Sequence, residues 1–260
     1  MKITQVNLYH LGMRLRQPFE TSSEYIDVRE CILVEAFTGD IVGYGECVAA
    51  RDPGYSYETV PTAWHILKDF LVPAILNQEI EDIRNFAERM NFVRGHPMAK
   101  AGLEMAVWDL QGKIQNRSLS ELLGGVRKRV DVGVSVGIQN SPQKLLSAVE
   151  DYLAQGYRRV KIKIKPGRDV VETETVRRAY PNLRLQVDAN SAYTLEMASM
   201  LAPLDDLNLL LIEQPLWDDD LWDHRLIQKQ FRTPICLDES ILSVRHARHA
   251  LEMESCRVIN

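Results

Sequence analysis

The chain has 260 residues, with 31 Lys plus Arg against 36 Asp plus Glu, a formal charge of −5. Apolar residues make up 45% and charged residues 26%, which excludes whole-chain disorder and a collagen-like repeat. The mild acidity argues against nucleic acid or an anionic membrane surface as partner, and no apolar run approaches the ~18 residues of a membrane span. At about 150 residues per domain, one or two domains are expected. The opening MKITQVNLYH lacks the basic-then-apolar layout of a signal peptide. Cys31, Cys47, Cys236 and Cys256 form no CxxC pair, so the expectation is a cytoplasmic protein with reduced thiols.

In chain order, Ile3 to Tyr9 and Glu30 to Phe37 read as strands, and Gly39-Asp40 turns the chain into IVGYGEC, giving a small antiparallel sheet. Tyr57 to Leu76 has helical spacing, with Pro61 and Pro73 as interruptions, and Ile80 to Phe92 continues it. Pro97 suits the first turn of a helix to about Ile114, carrying Ala101, Leu103, Ala106, Val107 and Leu110. LLGG at 122–125 ends this part, so residues 1–125 are expected to form an α+β capping domain. Residues 126–260 then alternate. Strands are expected at Val130–Val136, Arg159–Ile164, Leu183–Val187, Leu207–Ile212, Ile235–Leu237 and Arg257–Asn260, with helices between them such as Gln143–Ala154 and Leu195–Leu204. The alternation implies parallel strands with crossover helices. With no GxGxxG and no Walker motif, the pattern fits an α/β fold of incomplete (β/α) barrel type, with about six of eight strands present.

Lys163, Asp188, Glu213 and Asp238 are 25 residues apart at each step, each at or just past the end of an expected strand. One strand–helix unit takes about that length, so the four side chains belong on one rim, the C-terminal rim that holds the active site in such barrels. In VKIKIK, Val160, Ile162 and Ile164 share one face, and Lys161, Lys163 and Lys165 the other. The apolar face packs on helices, so the charged face points inward, where it must be paired or bound to metal. Three gathered carboxylates repel one another, and a hard divalent cation relieves that, which points to Mg²⁺, with Mn²⁺ as the alternative. Zinc is not indicated, since His246 and His249 lie on a helix without a third soft ligand and read as a solvated face. A lysine beside a cation and a second lysine is pushed toward its neutral form, so Lys163, tuned by Lys161, is a candidate general base. Base and Lewis acid together suggest proton abstraction next to a carboxylate. KIKIK alone is an ordinary edge-strand pattern, and a lone carboxylate after a strand is often a helix cap; the equal spacing of all four favours catalysis.

At these residues the chain resembles the enolase superfamily, and its KxK resembles the muconate-cycloisomerase-like subgroup. GVSVGIQ (133–139), YRRVKIKIKPGRDV (157–170), VDANSAYTL (187–195), IEQPLWDDDLWDH (212–224) and TPICLDES (233–240) resemble the o-succinylbenzoate synthase / N-succinylamino acid racemase family. RQPFETS (16–22), AKAGLEMAVWDL (99–110) and LLGG resemble it in the N-terminal part. The resemblance implies Asp188, Glu213 and Asp238 as Mg²⁺ ligands, Lys163 as the base with Lys161 as its partner, and Asn190 and Glu239 as supporting residues. It also implies Ser135, Phe19 and Tyr55 as contacts to a small-molecule carboxylate substrate, the last two from loops around 19–22 and 51–55. By analogy the protein is a homo-oligomer. Arg168 stands where the family often has Trp, which affects packing at the next helix rather than chemistry. A second catalytic lysine, expected near position 262 or 263, and the seventh and eighth strands lie beyond Asn260. The expectation is therefore a truncated chain, unstable as an isolated monomer.

The resemblance implies o-succinylbenzoate synthase activity, a dehydration in menaquinone formation. The alternatives are N-succinylamino acid racemisation and, in another class, a non-catalytic fragment or a subunit completed by a partner. Dipeptide epimerisation and muconate cycloisomerisation rank lower.

Overall fold

The computed structural model describes residues 1–260, which form two compact units. One comprises Met1–Arg16 with Asp27–Arg129, the other Gln17–Ile26 with Val130–Asn260.

The first unit is built on strands β1 (Gln5–Glu20), β2 (Tyr25–Thr38) and β3 (Ile41–Cys47), in the order β1-β2-β3. β2 and β3 pair antiparallel from Thr38↔Ile41 to Ile32↔Cys47. β1 runs far past the expected Tyr9, because its extension through RLRQPF is largely exposed and no apolar alternation marks it. Ile32, Val34 and Ala36 of β2 pack into a core with α3 (Pro97–Gln115). That helix buries Ala99, Leu103, Ala106, Val107 and Leu110, while the expected Ala101 is exposed: Ala99 begins the i, i+4, i+7, i+8, i+11 stripe. β3 lies unusually close to α3. A Cβ on Gly45 would stand 2.0 Å from the Gly102 carbonyl oxygen, so only glycine permits this approach.

The stretch expected as one interrupted helix at Tyr57–Leu76 is α1 (Val60–Ile66), a π-helical turn (Leu67–Leu71) and α2 (Val72–Ile75). Pro61 does not interrupt it. It sits in the first turn, behind the Thr59 cap, where its missing N–H is not needed. The wider turn precedes Pro73 and ends with Val72 N–H donating to the Leu67 carbonyl, which accommodates a residue that cannot donate. The expected helix at Ile80–Phe92 is a 3₁₀ segment, Ile83–Met90. Short α4 (Leu119–Leu122) closes the unit.

The second unit contains six parallel strands in sequential order: β4 (Val134–Val136), β5 (Arg159–Lys163), β6 (Arg184–Asp188), β7 (Ile212–Glu213), β8 (Ile235–Leu237) and β9 (Val258–Ile259). Helices α5 (Pro142–Ala154), α6 (Val170–Ala179), α7 (Leu221–Gln230) and α8 (Val244–Glu252), with a 3₁₀ segment at Leu195–Asp206, supply the crossovers. Val160, Ile162, Leu185 and Val187 are fully buried in one core with Leu145 and Val149 of α5 and Val176 of α6, as the face assignment requires. All six expected strands are present: β5 and β9 are slightly shorter than expected, and β4 and β7 much shorter. β4 starts at Val134, since Val130 and Val132 are exposed and unpaired in the sheet. β7 starts at Ile212, because Asn208 turns the chain through φ 49°, out of the extended region. No helix is long and apolar enough to cross a membrane.

Candidate active site

The strand register turns the sequence spacing into a row. Lys163 is level with Asp188, and Asp188 with Glu213. The row then steps: Glu213 is level with Cys236, so Asp238 lies two residues further along, on the same face. One row lower, Lys161 is level with both Ser135 and Gln186.

Both lysines reach the carboxylates. Lys163 Nζ donates to Asp188 Oδ2 at 2.7 Å and to Asn190 Oδ1 at 2.6 Å. Lys161 Nζ bridges the next pair, at 2.7 Å from Glu213 Oε1 and 2.9 Å from Asp188 Oδ2. Asn190 is well placed as a supporting residue: its Nδ2 donates to Glu239 Oε1 at 2.8 Å, and its backbone N–H donates to Asp188 Oδ1 at 3.0 Å. Its main chain is left-handed, at φ 42°. Asn260 Nδ2 donates to Glu213 Oε1 at 3.0 Å. Ser135, Lys161, Gln186, Glu213, Cys236 and Asn260 line a cavity of about 250 Å³. Lys163 is not among its lining residues and lies 9% exposed beside it.

Asp188 and Glu213 are each 1% exposed, yet their acidities move in opposite directions. Burial alone would raise Asp188, but Lys163 and Lys161 outweigh it and lower its pKa. Burial and the neighbouring Asp188 charge raise Glu213, and Asp238 adds to that. Glu239 is pushed up to about 7 by burial, with Asp238 and Asp188 adding to it against the Asn190 hydrogen bond. Burial disfavours the charge of Lys161, but Asp188 and Glu213 override it and hold the ammonium above its usual range.

Four carboxyl groups, Asp188, Glu213, Asp238 and Glu239, thus face two lysines at one rim. Their surplus of hard oxygen donors fits a divalent cation such as Mg²⁺, with Asp188, Glu213 and Asp238 as the residues to hold it. They do not form a closed cage, as no three acidic, His or Cys side chains converge to ligand distance of one point. His246 and His249 lie on α8 without such a cluster, and all four cysteines are free and buried.

Buried side-chain oxygens without a partner mark the rim: Ser135 Oγ, Ser191 Oγ and Glu239 Oε2. Unsatisfied buried polar atoms are rare and suit groups awaiting a ligand. The hairpin tip reaches the same rim. The Glu20 carbonyl accepts from Ile138 N–H at 2.9 Å, Lys165 Nζ meets Glu20 Oε1 at 2.9 Å, and Ser22 Oγ donates to the Asn190 carbonyl at 3.2 Å. A Cβ on Gly137 would stand 3.0 Å from the Glu20 carbonyl oxygen and 3.3 Å from Phe19 Cδ2, so the tip packs directly on the end of β4. Tyr55 belongs to the other compact unit. Arg168, just before α6, ties that helix to the loop between β4 and α5, through Glu172 and the Gln139 carbonyl. Gln186 carries no motif of its own and is identified by the register; Glu20 and Ser22 lie within RQPFETS, but only the tip's packing shows what they touch.

Comparison with known proteins agrees with this architecture. Residues 3–124 match the mandelate racemase / muconate lactonizing enzyme N-terminal domain, and residues 144–260 match the enolase C-terminal domain-like family. The chain is 50% identical to an o-succinylbenzoate synthase of Geobacillus kaustophilus and 44% identical to an N-succinylamino acid racemase of Thermus thermophilus. Each match covers 100% of this chain and 70% of the relative. An enolase-superfamily crystal structure from Listeria innocua superposes with TM-score 0.95 at 39% identity, covering 100% of this chain and 70% of that one. A dipeptide epimerase from Enterococcus faecalis, complexed with Mg and L-Leu-L-Tyr, superposes with TM-score 0.91 at 27% identity, covering 100% and 74%. The chain belongs to the enolase superfamily, with the N- and C-terminal domains of its mandelate racemase and muconate lactonizing members.

Proposed function

We propose that this chain carries the o-succinylbenzoate synthase reaction, with Lys163 as the base. The observation that carries the reading is the row Lys163–Asp188–Glu213, with the Lys163 Nζ fixed by Asp188 and Asn190. The substrate is a succinyl-hydroxycyclohexadiene carboxylate. Lys163 Nζ, in its neutral form, takes the proton α to the carboxylate, and the electron pair left behind moves toward that carboxylate. The ring hydroxyl then leaves with a proton as water, and the ring becomes aromatic. Lys163, by then an ammonium, holds the proton that the departing hydroxyl needs. Lys161 keeps positive charge beside Asp188 and Glu213. Mg²⁺, when bound, supplies positive charge against which the substrate's developing negative charge is stabilised. Asp188, Glu213 and Asp238 are the residues to hold it, and Asn190 and Glu239 orient polar groups around them.

Racemisation of N-succinylamino acids is the second reading, favoured by the 44% identity to the Thermus racemase. It begins with the same proton abstraction and adds return of a proton to the opposite face. Both activities are to be assayed with Mg²⁺, in the wild type and in Lys163→Ala. The variant is expected to lose about 10²–10⁴-fold in kcat for whichever reaction the wild type performs. Retention of activity in the variant would refute the assignment of the base, and dehydration without racemisation would decide between the two readings.

A further inference from the structure

Two buried glutamines hold the two ends of β8. Gln228, in α7, accepts from Ile235 N–H at 2.8 Å and donates to the carbonyls of Phe231 and Thr233 at 3.4 and 3.5 Å, fixing the strand's entry. Gln214, the residue after Glu213, fixes its exit. Gln214 Oε1 accepts from the N–H groups of Asp238 at 2.9 Å and Ser240 at 3.3 Å. Its Nε2 donates to Ser240 Oγ at 2.7 Å and to the carbonyls of Leu216 and Trp217 at 3.2 and 3.3 Å. A primary amide has two donor hydrogens and an acceptor with two lone pairs, and this one uses all of them. The main chain joins in: Gln214 N–H donates to the Cys236 carbonyl and its own carbonyl accepts from Ser191 N–H, both at 2.8 Å.

No part of Gln214 is exposed, and it does not line the cavity. Its φ is 35°, a region that residues other than glycine hold only where their surroundings over-determine it. The same residue therefore links the ends of β6, β7 and β8, the three strands that lead to Asp188, Glu213 and Asp238.

We infer that Gln214 is a positioning residue of the candidate cation site. It fixes the backbone of Asp238–Ser240 against Glu213, so the third carboxylate is presented from a preset strand end although the register steps there by two residues. This inference rests on the reading of Asp188, Glu213 and Asp238 as the cation-binding set. A merely structural staple would affect stability alone, and Gln228 is the matched control: the same side chain, 3% exposed, at the far end of the same strand.

The test uses the full chain, Mn²⁺ as the probe, calorimetric titration for affinity, and amide hydrogen exchange over residues 235–241. Gln214→Leu is expected to weaken Mn²⁺ binding roughly 10–100-fold, the usual effect of removing an outer-sphere partner, and to speed exchange at Asp238 and Ser240. Gln228→Leu is expected to speed exchange at Ile235 while leaving Mn²⁺ affinity within about twofold of wild type. Ser240→Ala removes a single contact and is expected to weaken Mn²⁺ a few-fold in a fully folded chain, which keeps the inference testable if Gln214→Leu does not fold. A folded Gln214→Leu with wild-type affinity would overturn it. So would a Gln228→Leu that loses as much affinity as Gln214→Leu, or an unchanged Ser240→Ala where Gln214→Leu is unfolded. A wild-type chain that binds no Mn²⁺ would overturn the cation reading, and this inference with it, by a different signature.

Discussion

Asp205, at the end of the 3₁₀ segment before β7, clamps the loop that enters β8. Its Oδ1 accepts from Thr233 N–H at 2.7 Å, and its Oδ2 from Arg232 N–H at 3.1 Å and Arg232 Nε at 3.2 Å. Burial opposes the charge, but these donors, Thr233 first, outweigh it and bring the carboxyl down to about 2. The perturbation is Asp205→Asn, which keeps an acceptor and removes the charge. An unfolded aspartate titrates near 3.9, so a folded value of about 2 sets a ceiling of about 2.6 kcal/mol at neutral pH. Arg232 is 74% exposed, so its share is screened, and about 2 kcal/mol is the working figure. Because the folded pKa is depressed, this stability is fully present above the unfolded value and disappears as pH falls through the folded one. At pH 3, between the two, about half should remain, or about 1 kcal/mol. Urea unfolding of wild type and variant at pH 7, 5 and 3 measures it. The gap should be equal at pH 7 and 5 and about halved at pH 3; a gap constant over the whole range would refute the role given to the ionised carboxylate.

Lys163→Ala should remain folded while losing activity. Asp188 keeps Lys161, so the variant should lose about 1–3 kcal/mol in urea unfolding, and a larger loss would mean that the lysine is chiefly structural. Arg177 of α6 has its guanidinium satisfied by main-chain carbonyls alone, those of Leu207, Tyr180, Pro181, Leu183 and Asn208. Arg177→Met removes the guanidinium from all five, with only the Tyr180 carbonyl shown to keep another donor, the Leu183 N–H, and should destabilise the chain by about 2–4 kcal/mol by the same assay, whereas a change under about 0.5 kcal/mol would show that water replaces the guanidinium freely.

Much of the site was legible because barrel geometry converts a constant sequence interval into a spatial row. Lys163, Asp188 and Glu213 stand level, and the alternation in VKIKIK did place Val160 and Ile162 against the helices and the lysines on the inner face. The interval hid the two-residue step at β8, because a register shift leaves no mark on the spacing. Proline was a weaker signal than its propensity suggests: Pro61 fell in a first turn and Pro73 behind a π-helical turn. The long β1 was invisible because neither of its faces carries a continuous apolar stripe into the core. Gln214 was hidden for a different reason. An uncharged amide between a carboxylate and a proline has no pattern, and its importance appears only when its five side-chain hydrogen bonds, to four residues, are seen together.

The hairpin tip at residues 17–26 meets the rim through an ion pair, two hydrogen bonds and the packing of Glu20 and Phe19 on Gly137. The Glu20–Lys165 pair is about one-third exposed on each side, so it contributes little, and the hydrogen bonds add about 1 kcal/mol each. These polar contacts together hold the tip by about 2–3 kcal/mol, which on their own would allow an open fraction on the order of one per cent. Exchange at the Ile138 amide, which the Glu20 carbonyl covers, should be slowed only about a hundredfold; much stronger protection would mean that the tip is locked. A latch whose polar part is this weak would let the rim exchange its contents without unfolding the barrel strands, and its partial dependence on an ion pair would make that exchange faster as ionic strength rises.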